Sequence, residues 1–213
     1  MKYERDTEAA KPRRSYGDGC GMAQALDVIG ERWALLVVRE LMFHPRRFSE
    51  LRADLPGIAP TVLTQRLAEL ERAGVVCRDG RLYGLSDWGR GLEPALQALG
   101  VWAVAGPAMR FDLPISVATL VMSLRTLFSP ARAGTLELSL GLDFGAGQTF
   151  AARVSAGRLT IGPGLPEGAV RVTGDRMALA AVIHGGAPIE GSGLAIAGDP
   201  AVLQAFAGLF PLR

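Results

Sequence analysis

FSELRADLPGIAPTVLTQRLAELERAGVVCRDGRLYGL, residues Phe48 to Leu85, carries the order helix, turn, helix, hairpin. Its first part, Phe48 to Leu55, places Phe48, Leu51 and Leu55 on one side of a short helix, and Pro56-Gly57 breaks it. A second helix opens at Pro60, because the first helical position has no use for the N–H that proline lacks, and runs to Ala73. Gly74 follows as a left-handed C-terminal cap. Val75 to Arg78 and Arg81 to Leu85 then flank Asp79-Gly80, a dipeptide that favours a tight hairpin turn. Each piece is common alone; the ordered set is that of a winged helix-turn-helix, whose second helix can enter a DNA groove.

At 3.6 residues per turn, Leu63, Leu67 and Leu70 share one stripe of that second helix. Thr61, Thr64, Gln65 and Ala68 fall on or near the opposite side, with no carboxylate before Glu69. Such a face can approach base edges, since Gln pairs with adenine and Thr or Ala accommodates thymine methyls. An ordinary solvated helix face usually carries more Lys and Glu. Arg46, Arg47 and Ser49 stand at the start of the first helix and Arg52 lies on it. Arg66 lies beside the groove face, and Arg81 is next to the hairpin turn. Arginines so clustered suit phosphates, which position a protein without specifying sequence; taken singly, each could merely solvate a loop or helix end.

The run from Cys20 through Trp102 resembles the HxlR family of bacterial transcription regulators, a branch of the MarR-like winged helices. The matching pieces are Cys20, Asp27-Val28-Ile29-Gly30-Glu31-Arg32-Trp33, Leu41, Arg47-Phe48-Ser49-Glu50-Leu51 and Gly57-Ile58-Ala59. They continue with Leu63-Thr64, Leu67, Leu70-Glu71, Gly74-Val75-Val76, Tyr83-Gly84-Leu85-Ser86, Gly89 and Trp102. The resemblance implies a homodimer on a pseudo-palindromic operator, with the helix from Thr61 to Ala73 in the major groove. Two departures stand out. Ala59 occupies a position where the family usually has Ser, so a side-chain N-cap is missing, and the wing is shorter than usual, which weakens the case for minor-groove contact by Arg81. In several members a cysteine near the N-terminus senses oxidants or electrophiles, and Cys20 occupies the matching position. A helix N-terminus would lower its thiol pKa. The favoured expectation is nonetheless a small buried residue packing the first helix, with Cys77 structural in the hairpin.

The chain has 213 residues, room for one large or two small domains with true cores. Its 23 basic and 21 acidic residues leave a formal charge of +2, so DNA affinity must come from local placement rather than global charge. Two cysteines and no secretory signal point to a reducing cytoplasm. No apolar run approaches the length of a membrane span. Residues 1–18 read as a polar, flexible arm in which Lys11, Arg13 and Arg14 could brush phosphates, though a solvated tail is the simpler reading.

Character changes near Gly106-Pro107. Residues 1–105 hold 15 Lys+Arg and 14 Asp+Glu, whereas 106–213 hold 8 and 7 in a slightly longer stretch. This divides the chain into the arm, a winged-helix domain over 19–106 and a second domain over 107–213. Leu92, Leu96, Leu99 and Trp102 form a helix stripe that closes the first domain or pairs subunits. Beyond the boundary, Val117, Leu120, Val121, Leu124 and Phe128 mark a helix over Ser116 to Phe128. Thr135 to Leu142, Gln148 to Ser155, Arg158 to Ile161 and Ala169 to Thr173 read as strands. Gly174-Asp175 and Gly198-Asp199-Pro200 each turn a strand into a helix, with Asp175 and Asp199 as N-caps. The fold class is α+β.

The hairpins, the strand–Gly-Asp–helix ending and the low charge of residues 113 to 213 resemble a sterol-carrier-protein-like domain, in which a small sheet and helices enclose an apolar tunnel. That resemblance implies an apolar small-molecule effector, with Leu120, Leu124, Phe128, Phe150, Leu179, Ile183 and Phe206 as lining; the plainer alternative is that they fill a dry core. No cofactor is implied. His44 and His184, the only histidines, lack metal-ligand spacing. No phosphate-cradling glycine loop or nucleophile elbow occurs, so catalysis is not expected. The reading that results is a cytoplasmic, dimeric, ligand-responsive regulator that binds double-stranded DNA and no membrane. The runner-up is an apolar small-molecule or lipid carrier whose winged helix serves dimerisation.

Overall fold

The computed structural model describes residues 15–107 and 109–211. Lys11, Arg13 and Arg14 lie outside the described residues. The last residues of the expected arm are anchored: the Ser15 hydroxyl and the Tyr16 N–H both donate to the Asp27 carboxylate, at 2.8 and 3.0 Å.

Helices α1 (Gly21–Ile29) and α2 (Ala34–Leu41) lead to a two-residue strand β1 (Arg46–Arg47), then α3 (Phe48–Asp54), α4 (Pro60–Arg72) and the hairpin β2 (Val76–Asp79) and β3 (Leu82–Leu85). The sheet order is β1-β3-β2, all antiparallel. Helix α4 ends as its glycine requires. Gly74 has φ 79°, its N–H donates to Glu71 O at 3.0 Å, and Val75 N–H donates to Leu70 O at 2.9 Å, so two orphan carbonyls are satisfied. Asp79 pairs with Leu82, so the hairpin loop is Gly80-Arg81, one residue later than the Asp79-Gly80 reading. Gly80 takes the positive φ (56°) there, which frees Arg81 to project from the tip.

Helix α5 (Asp87–Arg90) is capped by the Ser86 hydroxyl, and α6 (Glu93–Val104) follows. Neither α1 nor α6 has a fully buried residue. Leu92 and Leu96 are half-buried against the core, while Leu99 and Trp102 point outward, Trp102 with 77% of its surface exposed.

The remainder comprises α7 (Val117–Leu127), α8 (Pro130–Ala133), β4 (Leu138–Asp143), β5 (Thr149–Ser155), β6 (Arg158–Pro163), β7 (Val170–Thr173), α9 (Arg176–Gly185), β8 (Ala195–Ala197) and α10 (Pro200–Ala207). Its sheet has the order β6-β5-β4-β7-β8, antiparallel except where β4 runs beside β7. Alternation places Leu140, Leu142, Phe150, Ala152, Val154 and Val172 on the buried face, where α7 and α10 pack, with α9 against both helices. Asp175 caps α9 through the N–H groups of Met177 and Ala178, and Asp199 caps α10 through Ala201. Fully burying each large apolar side chain of this kind contributes about 1.5–3 kcal/mol.

The two sheets share one continuous core. Phe43, just beyond α2, meets Phe150 of β5 edge-on, with ring centroids 5.8 Å apart. The Ser116 hydroxyl donates to the buried Glu40 carboxylate on α2 at 2.7 Å and also accepts the Thr119 N–H as the N-cap of α7. Desolvation pushes the Glu40 carboxyl above its usual range, with Arg39 and the Ser116 hydrogen bond partly opposing the shift. Among the described residues, no helix is long and apolar enough to cross a membrane.

Candidate nucleic-acid interface

Helix α4 presents two different faces. Leu63, Leu67 and Leu70 are buried, whereas Thr61, Thr64, Gln65 and Ala68 are exposed along the other side. The N-cap, Ala59, makes no side-chain hydrogen bond, so Pro60 at the first helical position is the only sequence device fixing that end. Two polar side chains of the outer face bond within the helix. Thr64 Oγ1 donates to Pro60 O at 3.0 Å, and Gln65 Nε2 donates to Glu69 Oε1 at 2.9 Å. Such exposed bonds contribute about 0.5–1.5 kcal/mol each, little enough to be exchanged for base edges.

Around this face Arg47, Ser49 and Arg52 are exposed on and before α3, and Arg81 is exposed at the hairpin tip. The Arg47 N–H donates to Glu50 Oε2 at 2.6 Å, which holds the start of α3 while leaving the Arg47 side chain outside. Arg46 and Arg66 do not fit the expected phosphate role. Arg46 is only 4% exposed; its guanidinium is bonded to Asp54, and Nη1 lies 3.3 Å from His44 Nε2. Burial, then the adjacent Arg46 charge, holds the His44 ring below its ordinary range, so it is neutral at pH 7 and accepts from Arg46. Arg66 is 7% exposed, 2.6 Å from Glu69 and 3.5 Å from Glu31. These two arginines hold the motif together: one ties β1 to α3, the other ties α4 to the turn between α1 and α2. Arg78, not anticipated as a contact, is exposed on the same hairpin as Arg81, and its guanidinium stacks on Tyr83 at 5.2 Å. The Asp79-Gly80 turn of the sequence reading would put Arg78 opposite Arg81; it faces Tyr83 only in the observed register.

The family model described as HxlR-like helix-turn-helix matches residues 28–107. A Bacillus subtilis protein described as an uncharacterised HTH-type transcriptional regulator, YvaP, is 41% identical over 87 residues, which span 38% of this chain and 81% of the relative. This chain belongs to the HxlR family. A second B. subtilis member, the HTH-type transcriptional regulator YodB, is 33% identical over 89 residues, covering 38% of this chain and 80% of YodB. The solved reduced form of B. subtilis YodB is 30% identical over 42% of this chain and 95% of that one, with a TM-score of 0.38.

Elsewhere in this HxlR-family chain, Cys20 is exposed rather than packed beneath α1. It stands as the N-cap residue of α1, where the nearby backbone N–H groups of Ala23, then of Met22, hold its thiol below the usual range without a side-chain cap hydrogen bond. Burial was expected from residue type alone; the solvated N-terminus of α1 prevents it. Cys77 is also exposed, its thiol 3.5 Å from Gly84 O.

Of the residues expected to line an apolar tunnel, Leu120, Leu124, Phe150, Leu179, Ile183 and Phe206 are buried in the hydrophobic core, and Phe206 meets Phe210 edge-on with centroids 4.8 Å apart. Phe128 alone of the expected lining borders a cleft, an open one of about 520 Å³ between α6, α7 and β6. Among the described residues, no group of three or more His, Cys, Asp or Glu side chains could hold a metal ion.

Proposed function

We propose that this protein regulates transcription as a homodimer that binds a duplex operator, with the outer face of α4 in the major groove. The observation that carries the reading is that face: Thr61, Thr64, Gln65 and Ala68 are exposed together, backed by a fully buried leucine stripe. Thr61 and Gln65 read bases, while Arg47, Ser49, Arg52 and Arg81, joined by Arg78, contact phosphates on either side. Family membership supports the regulator reading over a carrier whose winged helix only dimerises.

The dimer contact is α1 with α6. These helices have no fully buried residue and expose Met22, Leu26, Leu99 and Trp102, large apolar side chains that a second copy of the chain would cover. Residues 19–106 then form the DNA-binding and pairing domain, and 107–213 a sterol-carrier-like effector domain. That second assignment is supported by a five-stranded sheet with helices on its apolar face. Cys20, exposed at a helix start, is the position at which an oxidant or electrophile would act.

Footprinting on the DNA upstream of the protein's own coding region tests the proposal. A protected pseudo-palindrome, with affinity falling steeply as salt rises, supports it. Weak binding without any preferred site would contradict it.

A further inference from the structure

The cleft between α6, α7 and β6 has a polar wall of Glu93, Gln97 and Arg125 and an apolar side formed by Phe128, Leu159 and Ile161. Arg125 is its hub. Nη1 donates to Glu93 on α6, Nη2 donates to Ile161 O on β6 at 2.7 Å, and the guanidinium lies 5.1 Å from the centre of the Phe43 ring. One α7 side chain thus touches the helix that carries the dimer face, the segment after α2 and the edge of the larger sheet.

We propose that this cleft binds a small amphipathic carboxylate, its apolar body against Phe128, Leu159 and Ile161 and its carboxylate on Arg125 in place of Glu93. The charge follows from which partner can move. The guanidinium is fixed by Ile161 O and by Phe43, so the positive charge stays in the cleft. Glu93 lies at the first position of α6 and, besides Arg125, accepts only a long bond from Gln97 Nε2 at 3.3 Å, so it can swing outward while remaining near the favourable N-terminal end of the helix dipole. A ligand ammonium would instead have to sit beside a fixed guanidinium. A planar guanidinium also matches a carboxylate with two parallel hydrogen bonds, and the cleft's volume of about 520 Å³ lies within the range of small-molecule sites.

The proposal deepens the regulator reading and rests on it for its effect on DNA. Displacing Glu93 removes the ion pair between α6 and α7. A ligand that favours the released position of α6 alters the spacing of the two α4 helices, and DNA in turn alters its affinity.

The test titrates the full chain with 2-naphthoate by calorimetry, without DNA, beside 2-naphthol and 2-naphthylmethylamine. Leu159→Trp is the variant that fills the cleft, since Leu159 is half-buried and lies on the cleft's apolar side. Arg125→Gln removes the charge. The expected result is saturable binding of naphthoate that either substitution weakens by about tenfold or more, with the alcohol and the amine both weaker than the acid. Absence of saturable binding, undiminished binding by Leu159→Trp, or an amine that binds as tightly as the acid would overturn the proposal. DNA anisotropy is recorded separately. A chain that binds naphthoate but no DNA would leave the cleft standing and remove the regulator reading.

Discussion

Replacing Ser116 with Ala should weaken the joint between the winged helix and the C-terminal half by more than an ordinary surface change. Its hydroxyl does two things: it accepts the Thr119 N–H at 3.0 Å as the α7 N-cap, and it donates to Glu40 at 2.7 Å. Losing an N-cap costs about 1 kcal/mol, and losing a hydrogen bond to a charged, buried acceptor costs about 1.5–3 kcal/mol. Both losses fall on one atom and Thr119 Oγ1, 2.9 Å away, can take up part of the deficit. The total is therefore about 2–3 kcal/mol rather than the full sum. Glu40 makes the loss sharper, because one carboxylate oxygen, Oε2, is already buried without a partner. The assay is urea unfolding of wild type, Ser116→Ala, Glu40→Gln and the double variant. A coupling energy of about 1 kcal/mol or more is expected between the two sites. A Ser116→Ala cost below about 0.5 kcal/mol, or additive single effects, would refute the reasoning.

Three further outcomes follow from the geometry. Ala59→Ser should supply the missing cap to the Thr61 or Val62 N–H and raise stability by about 1 kcal/mol, read as a higher urea midpoint with an unchanged slope. Because burial raises the folded Glu40 pKa, this group's contribution is fully present below the ordinary glutamate range and is lost as pH rises through the folded value. The stability of Glu40→Gln relative to wild type should therefore grow from pH 4 toward neutrality; a constant or shrinking gap in urea midpoints contradicts the assignment. Iodoacetamide should modify Cys20 with a rate that inflects at lower pH in the folded protein than in urea, in a Cys77→Ser background that isolates the signal. An inflection that does not move on unfolding would count against the helix-terminus effect.

The winged helix was legible because its signals are local. Pro60, Gly74 and the Leu63-Leu67-Leu70 stripe each act within one turn of the chain, and α4 ends within a residue of the reading. The hairpin slipped by one residue because the short pairing with β1, which a two-residue strand announces poorly, helps set the register of β3. Arg66 could have been placed correctly: three residues after Leu63 and four before Leu70, it lies on the buried stripe. Arg46 could not, since its partner Asp54 comes from across α3. In the C-terminal half, alternation and the Gly-Asp turns located the strands and helix starts. Whether apolar residues enclose a tunnel or pack solid depends on how several elements meet, which periodicity does not encode. The cleft beside Arg125 was invisible for the same reason: its walls come from α6, α7, β5 and β6.

The central claim concerns what the outward side of α4 does, and charge reversal there addresses it most directly. Thr64→Glu with Gln65→Glu changes only exposed side chains, so the melting temperature should stay close to that of wild type. Fluorescence anisotropy on the upstream duplex should then show binding that falls steeply with salt for the wild type and that the double variant lacks, because like charges meeting across an interface cost several kcal/mol, on the order of a hundredfold or more. A folded double variant that binds the duplex as tightly as wild type would contradict the account.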